Sequence, residues 1–155
     1  MKQAYLVDTN VLVLSDDAKD LKCHLACHKR LQEITANGEL LIDDAFRILG
    51  EYRNNVQAGQ TQGFAFFKWA SQNGKITRIT PHYLRGFEEF PSDSDLEGFD
   101  PSDRKFVAVA LASDREPAIV NAIDTDWADF HDALARYITI EFLCPHLCAP
   151  SGART

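Results

Sequence analysis

Short apolar runs that end at acidic residues recur along the sequence, and segments with helical periodicity separate them. The predicted strands are 4–7, 40–42, 75–80, 118–123 and 138–143. The predicted helices are 18–36, 45–56, 64–73, a helix that begins at Asp100, and 127–137. Strands that alternate with helices of these lengths predict an α/β fold, a three-layer sandwich with a mostly parallel central sheet.

The 155 residues suit one domain at 1–148, and the small, polar residues 149–155 are expected to form a frayed tail. With 45% apolar residues the core is large enough to fold without a disulfide or a structural metal. Since no apolar run has the length of a membrane span, we expect a cytoplasmic protein with no membrane contact. The net charge of −7 argues against a passive nucleic-acid coat but leaves open an enzyme that reaches nucleic acid through bound cations.

Four cysteines form two pairs that are each separated by three residues, and histidines lie among them. These residues are Cys23, Cys27, Cys144, Cys148, His24, His28 and His146. A tetrahedral zinc site is one interpretation of this pattern. Structural zinc sites usually have closer cysteine pairs, and cysteine packs well as a small hydrophobic residue. We therefore expect core cysteines rather than a zinc site.

Acidic residues follow or flank the predicted strands. Asp8 and Asp124 end two strands, Asp103 opens a helix, and Glu51 lies on the helix after the second strand. Ligands of open parallel sheets bind beyond the carboxyl ends of the strands, where these acids would meet. Each acid also has a structural explanation, as a turn or helix cap or, for Glu51, as a partner of Arg47.

A carboxylate cluster of this kind needs compensation, because two carboxylates about 4 Å apart repel by roughly 4 kcal/mol at an effective dielectric constant near 20. Oxygen-rich sites recruit Mg²⁺ or Mn²⁺. Such ions prepare water for in-line attack on a phosphodiester. The acids therefore predict a metal-dependent phosphodiesterase site.

The same residues resemble the motifs of the PIN-domain ribonucleases of the VapC-like toxin type. Val7–Leu12 resembles their first acidic motif, 48–53 the second, 103–110 the third and 121–127 the fourth. The resemblance implies a PIN-like fold and a Mg²⁺- or Mn²⁺-dependent endoribonuclease, often the toxin of a toxin–antitoxin pair. The partners it implies are an RNA substrate and an antitoxin protein.

Within this resemblance, Asp8, Glu51, Asp103 and Asp124 are the implied catalytic metal ligands and Asp126 is an additional ligand. Residues 121–123 depart from the usual fourth motif, which leaves open whether Asp124 or Asp126 is the main ligand there. We interpret Thr9 and Asn10 as hydrogen-bond partners that orient the carboxylates.

Two other functions are compatible with parts of this sequence. A haloacid-dehalogenase-like phosphatase also opens with a strand and an aspartate, but it needs a second acid where this chain has Asn10, which cannot donate a proton as an acid. A PIN-like protein-binding module without catalysis is the second alternative, because a fold does not guarantee activity.

Two further groups of residues suit binding. The basic residues expected near the site are Arg47, Arg53, Arg104 and Lys105, which could hold RNA phosphates or serve only as solvated surface. The aromatic residues of one short segment are Phe64, Phe66, Phe67 and Trp69. We expect this aromatic segment to belong to the core or to a homodimer or antitoxin interface rather than to stack bases.

Overall fold

A parallel sheet of five strands forms the centre of the computed structural model, which describes residues 2–56, 62–77 and 89–148. The strands are β1 Ala4–Val7, β2 Glu39–Asp43, β3 Lys75–Thr77, β4 Ala118–Asn121 and β5 Thr139–Phe142. Their order is β3-β2-β1-β4-β5, and all four neighbouring pairs are parallel. The predicted fold class is therefore confirmed.

Seven α-helices connect these strands within the described ranges. They are α1 Thr9–Leu14, α2 Leu21–Asn37, α3 Arg47–Asn55, α4 Gln62–Asn73, α5 Arg104–Ala112, α6 Thr125–Asp129 and α7 His131–Leu134. Short 3-10 turns occupy Ser94–Leu96 and Pro101–Asp103. None of the described helices is both long and apolar enough to cross a membrane.

Several predicted boundaries differ from the structure. The residues after Asp8, for which no element was predicted, form α1, and the predicted helix 127–137 is divided into α6 and α7 at Phe130. Leu96 and Phe99, which lie in the acidic stretch before α5, are fully buried. Residues 78–80 of the third predicted strand and the predicted tail 149–155 lie outside the described residues.

The buried face of α2 includes only some of the apolar residues of the predicted helix 18–36. Leu21 and Leu25 are 62% and 55% exposed, whereas Cys23 and Cys27 lie in the core. Cys23, Cys27, Leu31 and Ile34 form a continuous stripe at spacings of four, four and three residues. Cys23 and Cys27 therefore pack as hydrophobic residues of this helix, which confirms the prediction that they belong to the core.

A disulfide joins Cys23 of α2 to Cys144, which follows β5, although the core was expected to be large enough to fold without one. Cys27 and Cys148 are buried and lie outside this bond. Composition indicates whether a core is large enough to fold alone, but it cannot detect that two thiols 121 residues apart meet in that core.

The strand order places a crevice between β1 and β4. From β1 the chain extends the sheet in one direction through β2 and β3, and it then crosses to the other side of β1 to form β4 and β5. Doubly wound sheets bind ligands where the strand order reverses in this way, beyond the carboxyl ends of the strands. The backbone N–H of Asp8 donates to the carbonyl of Val120 at 2.9 Å, so the ends of these two strands are held side by side.

Candidate metal centre

Three carboxyl groups meet in the crevice between β1 and β4. Asp8, Asp103 and Asp124 each present one carboxylate oxygen, and these oxygens lie within 4.8 Å of one another. Asp8 and Asp103 are buried, and Asp124 is partly exposed. We call these three residues the carboxylate cluster.

Each member of the carboxylate cluster lies at the start of a helix. Asp8 caps α1 and accepts from the backbone N–H of Asn10 at 3.1 Å, and Asp124 caps α6 and accepts from that of Asp126 at 3.0 Å. Asp103 is the last residue of the 3-10 turn that leads into α5. Asp8 and Asp124 are therefore helix caps and also members of the carboxylate cluster. The two roles are compatible because helix N-termini stabilise negative charge.

Burial and mutual repulsion hold protons on this cluster. Burial, together with the charges of Asp8 and Asp124, raises the pKa of Asp103 to about 9. Burial also raises the pKa of Asp8 to about 6, although hydrogen bonds from Trp127 and Asn10 counteract it. The Oδ2 atom of Asp103 is buried and has no hydrogen-bond partner within the described residues. A buried carboxylate oxygen without a donor is a position that a cation would satisfy.

Glu51 lies at the edge of the cluster and is held by two side chains. Its Oε1 accepts from the Nζ of Lys105 at 2.9 Å, and its Oε2 accepts from the hydroxyl of Thr9. Lys105 is itself buried and also donates to the carbonyl of Ser102. Glu51 therefore forms a salt bridge with Lys105, which is 54 residues away in sequence.

Asp126 belongs to a second group of carboxylates that shares Asp103. Oxygens of Asp100, Asp103 and Asp126 also lie within 4.8 Å of one another. The Oδ2 of Asp126 accepts from the backbone N–H of Asp100 at 3.0 Å, which anchors the turn before α5. Asp124 is thus grouped with Asp8, whereas Asp126 is grouped with Asp100.

Asn10 joins the two strand ends that carry the carboxylates. Its Nδ2 donates to the Oδ1 of Asn121 at 3.0 Å, and its Oδ1 accepts from the backbone N–H of Ala122 at 3.0 Å. Asn121 is buried and in turn contacts Asp124, accepting from its N–H at 3.2 Å and donating to its carbonyl at 3.1 Å. This pair of asparagines fixes the position of Asp124 relative to Asp8.

Trp127 is a site residue that was not singled out from the sequence. It is fully buried, and its indole Nε1–H donates to the Oδ2 of Asp8 at 2.7 Å. A buried indole N–H needs an acceptor, and an aromatic residue directly after the Asp124–Asp126 motif was the available signal. The contact both satisfies the indole and fixes one oxygen of Asp8.

The four basic residues proposed for RNA binding occupy different surroundings. Arg47 lines a cavity of about 480 Å³ that also contacts Glu51 and Lys105, and Arg53 lines a separate cavity of about 250 Å³ beside Phe46. The guanidinium of Arg104 donates to the carbonyls of Glu97 and Phe99 and lies over the ring of Phe90. Arg104 and Lys105 are therefore already engaged within the chain.

The aromatic segment of α4 is divided between core and surface. Phe66 is buried and contacts Tyr52 edge to face, whereas Phe64, Phe67 and Trp69 are partly buried. The core part of the expectation is confirmed for Phe66. An interface at the other three residues remains a prediction.

Comparison with known proteins supports the fold. No protein-family model matches the chain, and no curated protein matches it in sequence. Among solved structures, the chain is similar to VapBC2 from Rickettsia felis, crystallised bound to a DNA fragment from their promoter. The TM-score is 0.54 at 13% identity, over 90% of this chain and 98% of that chain. At this identity the similarity concerns the fold alone, an α/β fold with a parallel central sheet.

The raised pKa of Asp103 predicts how stability depends on pH when a chelator removes divalent ions. The folded protein keeps a proton on Asp103 up to about pH 9, whereas the unfolded chain releases it near the ordinary value of 3.8. The free energy of unfolding should therefore fall as pH rises between these values, by up to about 1.4 kcal/mol per pH unit for one proton.

Urea unfolding at pH 6 to 9 in the presence of EDTA measures this dependence. Asp103→Asn should flatten the curve in this interval because the amide does not titrate. Asp114→Asn, at an exposed acid outside the carboxylate cluster, should follow the wild-type curve. A wild-type curve that rises with pH would contradict the proposed protonation.

Proposed function

We propose that this protein is a PIN-type endoribonuclease that depends on Mg²⁺ or Mn²⁺. The observation that carries the proposal is the carboxylate cluster of Asp8, Asp103 and Asp124 with the unsatisfied Oδ2 of Asp103 at the point where the strand order reverses. The fold-level similarity to VapBC2 and the four sequence motifs support the same assignment.

The donor set fits a hard divalent cation. Carboxylate oxygens are the ligands that Mg²⁺ and Mn²⁺ prefer. Asp8, Asp103 and Asp124 would hold the ion, with Glu51 and Asp126 at its two sides as further ligands. A bound ion would supply charge neutralisation at the phosphate and a more acidic water for in-line hydrolysis.

The surrounding residues keep the carboxylates oriented. The indole of Trp127 and the backbone N–H of Asn10 each hold one oxygen of Asp8. Thr9 and Lys105 hold the two oxygens of Glu51, and Lys105 places a positive charge beside the acids when no cation is bound. We therefore assign Lys105 to the organisation of the site, in place of the direct phosphate contact predicted from its sequence position.

The cavity beside Glu51 is the candidate position for the RNA backbone. Its lining combines Arg47 with the amides of Asn54 and Asn55 and with the turn at Ser102. Arginine and amide side chains are suited to phosphate and sugar contacts that carry no sequence preference. We propose Arg47 as a phosphate ligand and Arg53 as a more distant one.

In the toxin role that the sequence resemblance implies, the chain would act in the cytoplasm and be held inactive by an antitoxin protein. The partly exposed Phe64, Phe67 and Trp69 of α4 are the residues we propose for that interface or for a homodimer. A PIN-like module that binds a partner without catalysis would have the same fold. The experiments below distinguish it from an enzyme.

The direct test is cleavage of single-stranded RNA by the purified chain in the presence of Mg²⁺ or Mn²⁺. We expect cleavage that EDTA abolishes, and a decrease of at least about 100-fold in Asp8→Asn. The variant should remain folded at the assay temperature, because removal of one charge from a repelling cluster offsets the loss of an acceptor for one of the two N–H groups that bind Asp8. Asp114→Asn is the matched control, and equal activity of Asp8→Asn and the control would exclude the proposed site.

Metal-linked stability separates an enzyme site from scattered surface acids. An ion that binds only the folded chain stabilises it by about 2.7 kcal/mol at a hundredfold excess over its Kd. Thermal unfolding with increasing Mn²⁺ should give a saturable rise in Tm that is weaker in Asp103→Asn and in Asp124→Asn and unchanged in Asp114→Asn. A melting temperature that does not respond to millimolar Mn²⁺ at neutral pH would favour the binding module.

The contact between Trp127 and Asp8 makes a separate prediction. Trp127→Phe keeps an aromatic ring in the core but removes the N–H that holds Asp8. Loss of such a supporting contact typically costs 10- to 100-fold in metal affinity. We expect this loss in a Mn²⁺ titration, whereas Trp69→Phe, at the other tryptophan of the chain, should leave the affinity unchanged. Equal affinity in both variants would remove Trp127 from the site.

A further inference from the structure

Three cysteine sulphurs meet in the core, apart from the carboxylate cluster. Cys23 and Cys27 occupy successive turns of α2, and Cys144 follows β5. Their Sγ atoms lie within 4.8 Å of one another, and all three residues are buried. We call Cys23, Cys27 and Cys144 the thiol cluster. The proposed ribonuclease function does not use it.

The disulfide uses only two of these three sulphurs. Cys23 is bonded to Cys144, and Cys27 lies beside the bond with its thiol intact. Burial raises the pKa of the Cys27 thiol to about 12. Cys27 is consequently a poor nucleophile toward its neighbour, because thiol–disulfide exchange requires the thiolate. A role in exchange therefore does not explain the third thiol.

A soft divalent cation would use all three sulphurs. Thiolates around tetrahedral zinc lie about 2.3 Å from the ion and so about 3.8 Å from one another, which small movements reach from separations within 4.8 Å. Two ligands four residues apart on one helix face are a known way to bind zinc. A bound cation also allows Cys27 to lose its proton without a high pH, since the cation displaces the protons of its cysteine ligands.

The surroundings also favour negative charge at this position. Cys23 lies in the first turn of α2, a helix of 17 residues, where the helix dipole stabilises a thiolate. The cap of this helix, Asp20, accepts from the N–H of Cys23 at 2.9 Å and contacts the imidazole of His146 at 3.2 Å. The segment that carries Cys144 is thus held against the start of α2 by a contact other than the disulfide.

We propose that the reduced chain binds one zinc ion through the Sγ atoms of Cys23, Cys27 and Cys144. The zinc ion and the disulfide exclude each other, and either one links α2 to the segment after β5.

The exchange between the two forms balances with a dithiol reductant. The dithiol gives two electrons and two protons to the bond between Cys23 and Cys144, which becomes two thiols while the reductant becomes a disulfide. Zinc then displaces the protons of its cysteine ligands into solvent. A small-molecule disulfide reverses these steps: it accepts two electrons from the thiolates of Cys23 and Cys144 and two protons from solvent to become a dithiol, the Cys23–Cys144 bond forms, and the ion is released.

The test compares oxidised and reduced full-length protein with zinc and with Co²⁺ as a spectroscopic probe. After reduction, addition of Zn²⁺ and gel filtration, elemental analysis should find one zinc per chain, and Co²⁺ should give thiolate-to-metal charge-transfer absorption. The oxidised protein should retain no zinc and give no such absorption. Reduced protein that elutes without zinc would overturn the proposal.

Cys27→Ser is the decisive variant because it leaves the disulfide partners in place. Formation of the Cys23–Cys144 bond under oxidising conditions, confirmed by mass spectrometry, shows that the variant folds. In its reduced form we expect zinc affinity to fall by at least about 100-fold, more than the loss of a supporting contact produces. Cys27→Ala should behave in the same way, and unchanged affinity in both variants would contradict the proposal.

A second control separates this site from the carboxylate cluster. The double variant of Asp8→Asn and Asp103→Asn should retain the zinc stoichiometry and the Co²⁺–thiolate absorption of the wild type. Excess Mg²⁺ should not displace the zinc, since thiolates select softer ions. Loss of zinc in the double variant would assign the metal to the carboxylates and overturn the proposal.

Discussion

The parallel pairing of β1 with β4 is the constraint on which the candidate site depends. These strands are more than one hundred residues apart in sequence, yet Tyr5, Leu6 and Val7 lie opposite 118–120. Their shared end brings Asp8 next to Asn121 and the start of α6, and the paired amides of Asn10 and Asn121 fix the distance between them. A change of one residue in this register would direct every side chain of the strand to the opposite face.

Burial of three carboxyl groups close together destabilises the fold at the crevice between β1 and β4. Two carboxylates separated by 4.8 Å repel by roughly 3 kcal/mol at an effective dielectric constant near 20. The protein offsets part of this with helix N-termini, with the indole of Trp127 and with the ammonium of Lys105, which holds Glu51. It leaves one oxygen of Asp103 without a donor. Sites that sacrifice local stability in this way are commonly functional.

The cysteines are brought together by the packing of α2 on the core rather than by the ends of the strands. They are buried because α2 presents its thiols rather than Leu21 and Leu25 to the core. Once buried together, the sulphurs of Cys23 and Cys144 cross-link elements that are distant in sequence. The carboxylates prefer hard cations and the thiols prefer soft ones, so the two clusters need not compete for the same ion.

The sequence by itself determined the fold class and the acids. A central parallel strand is covered on both faces, so nearly all of its side chains are apolar. The sequence shows this as an uninterrupted hydrophobic run such as Leu40–Ile42, which is buried. The position of Asp8 and Asp124 at strand ends follows from the same pattern. The predicted helix 18–36 corresponds to α2 at Leu21–Asn37, but its Leu21 and Leu25 are exposed, because spacing alone does not decide which stripe of a helix a neighbouring element covers.

Only the tertiary structure decided the contacts that act across the sheet. Lys105 pairs with Glu51, Trp127 holds Asp8 and Cys23 meets Cys144, although each pair is separated by 54 to 121 residues. Hydrophobic periodicity predicts which residues share a face within one helix or strand. These contacts join different elements, and the strand order β3-β2-β1-β4-β5 determines which elements are neighbours. The physical reason is that a side chain's hydrogen-bond partner depends on distance in space, which local sequence does not encode.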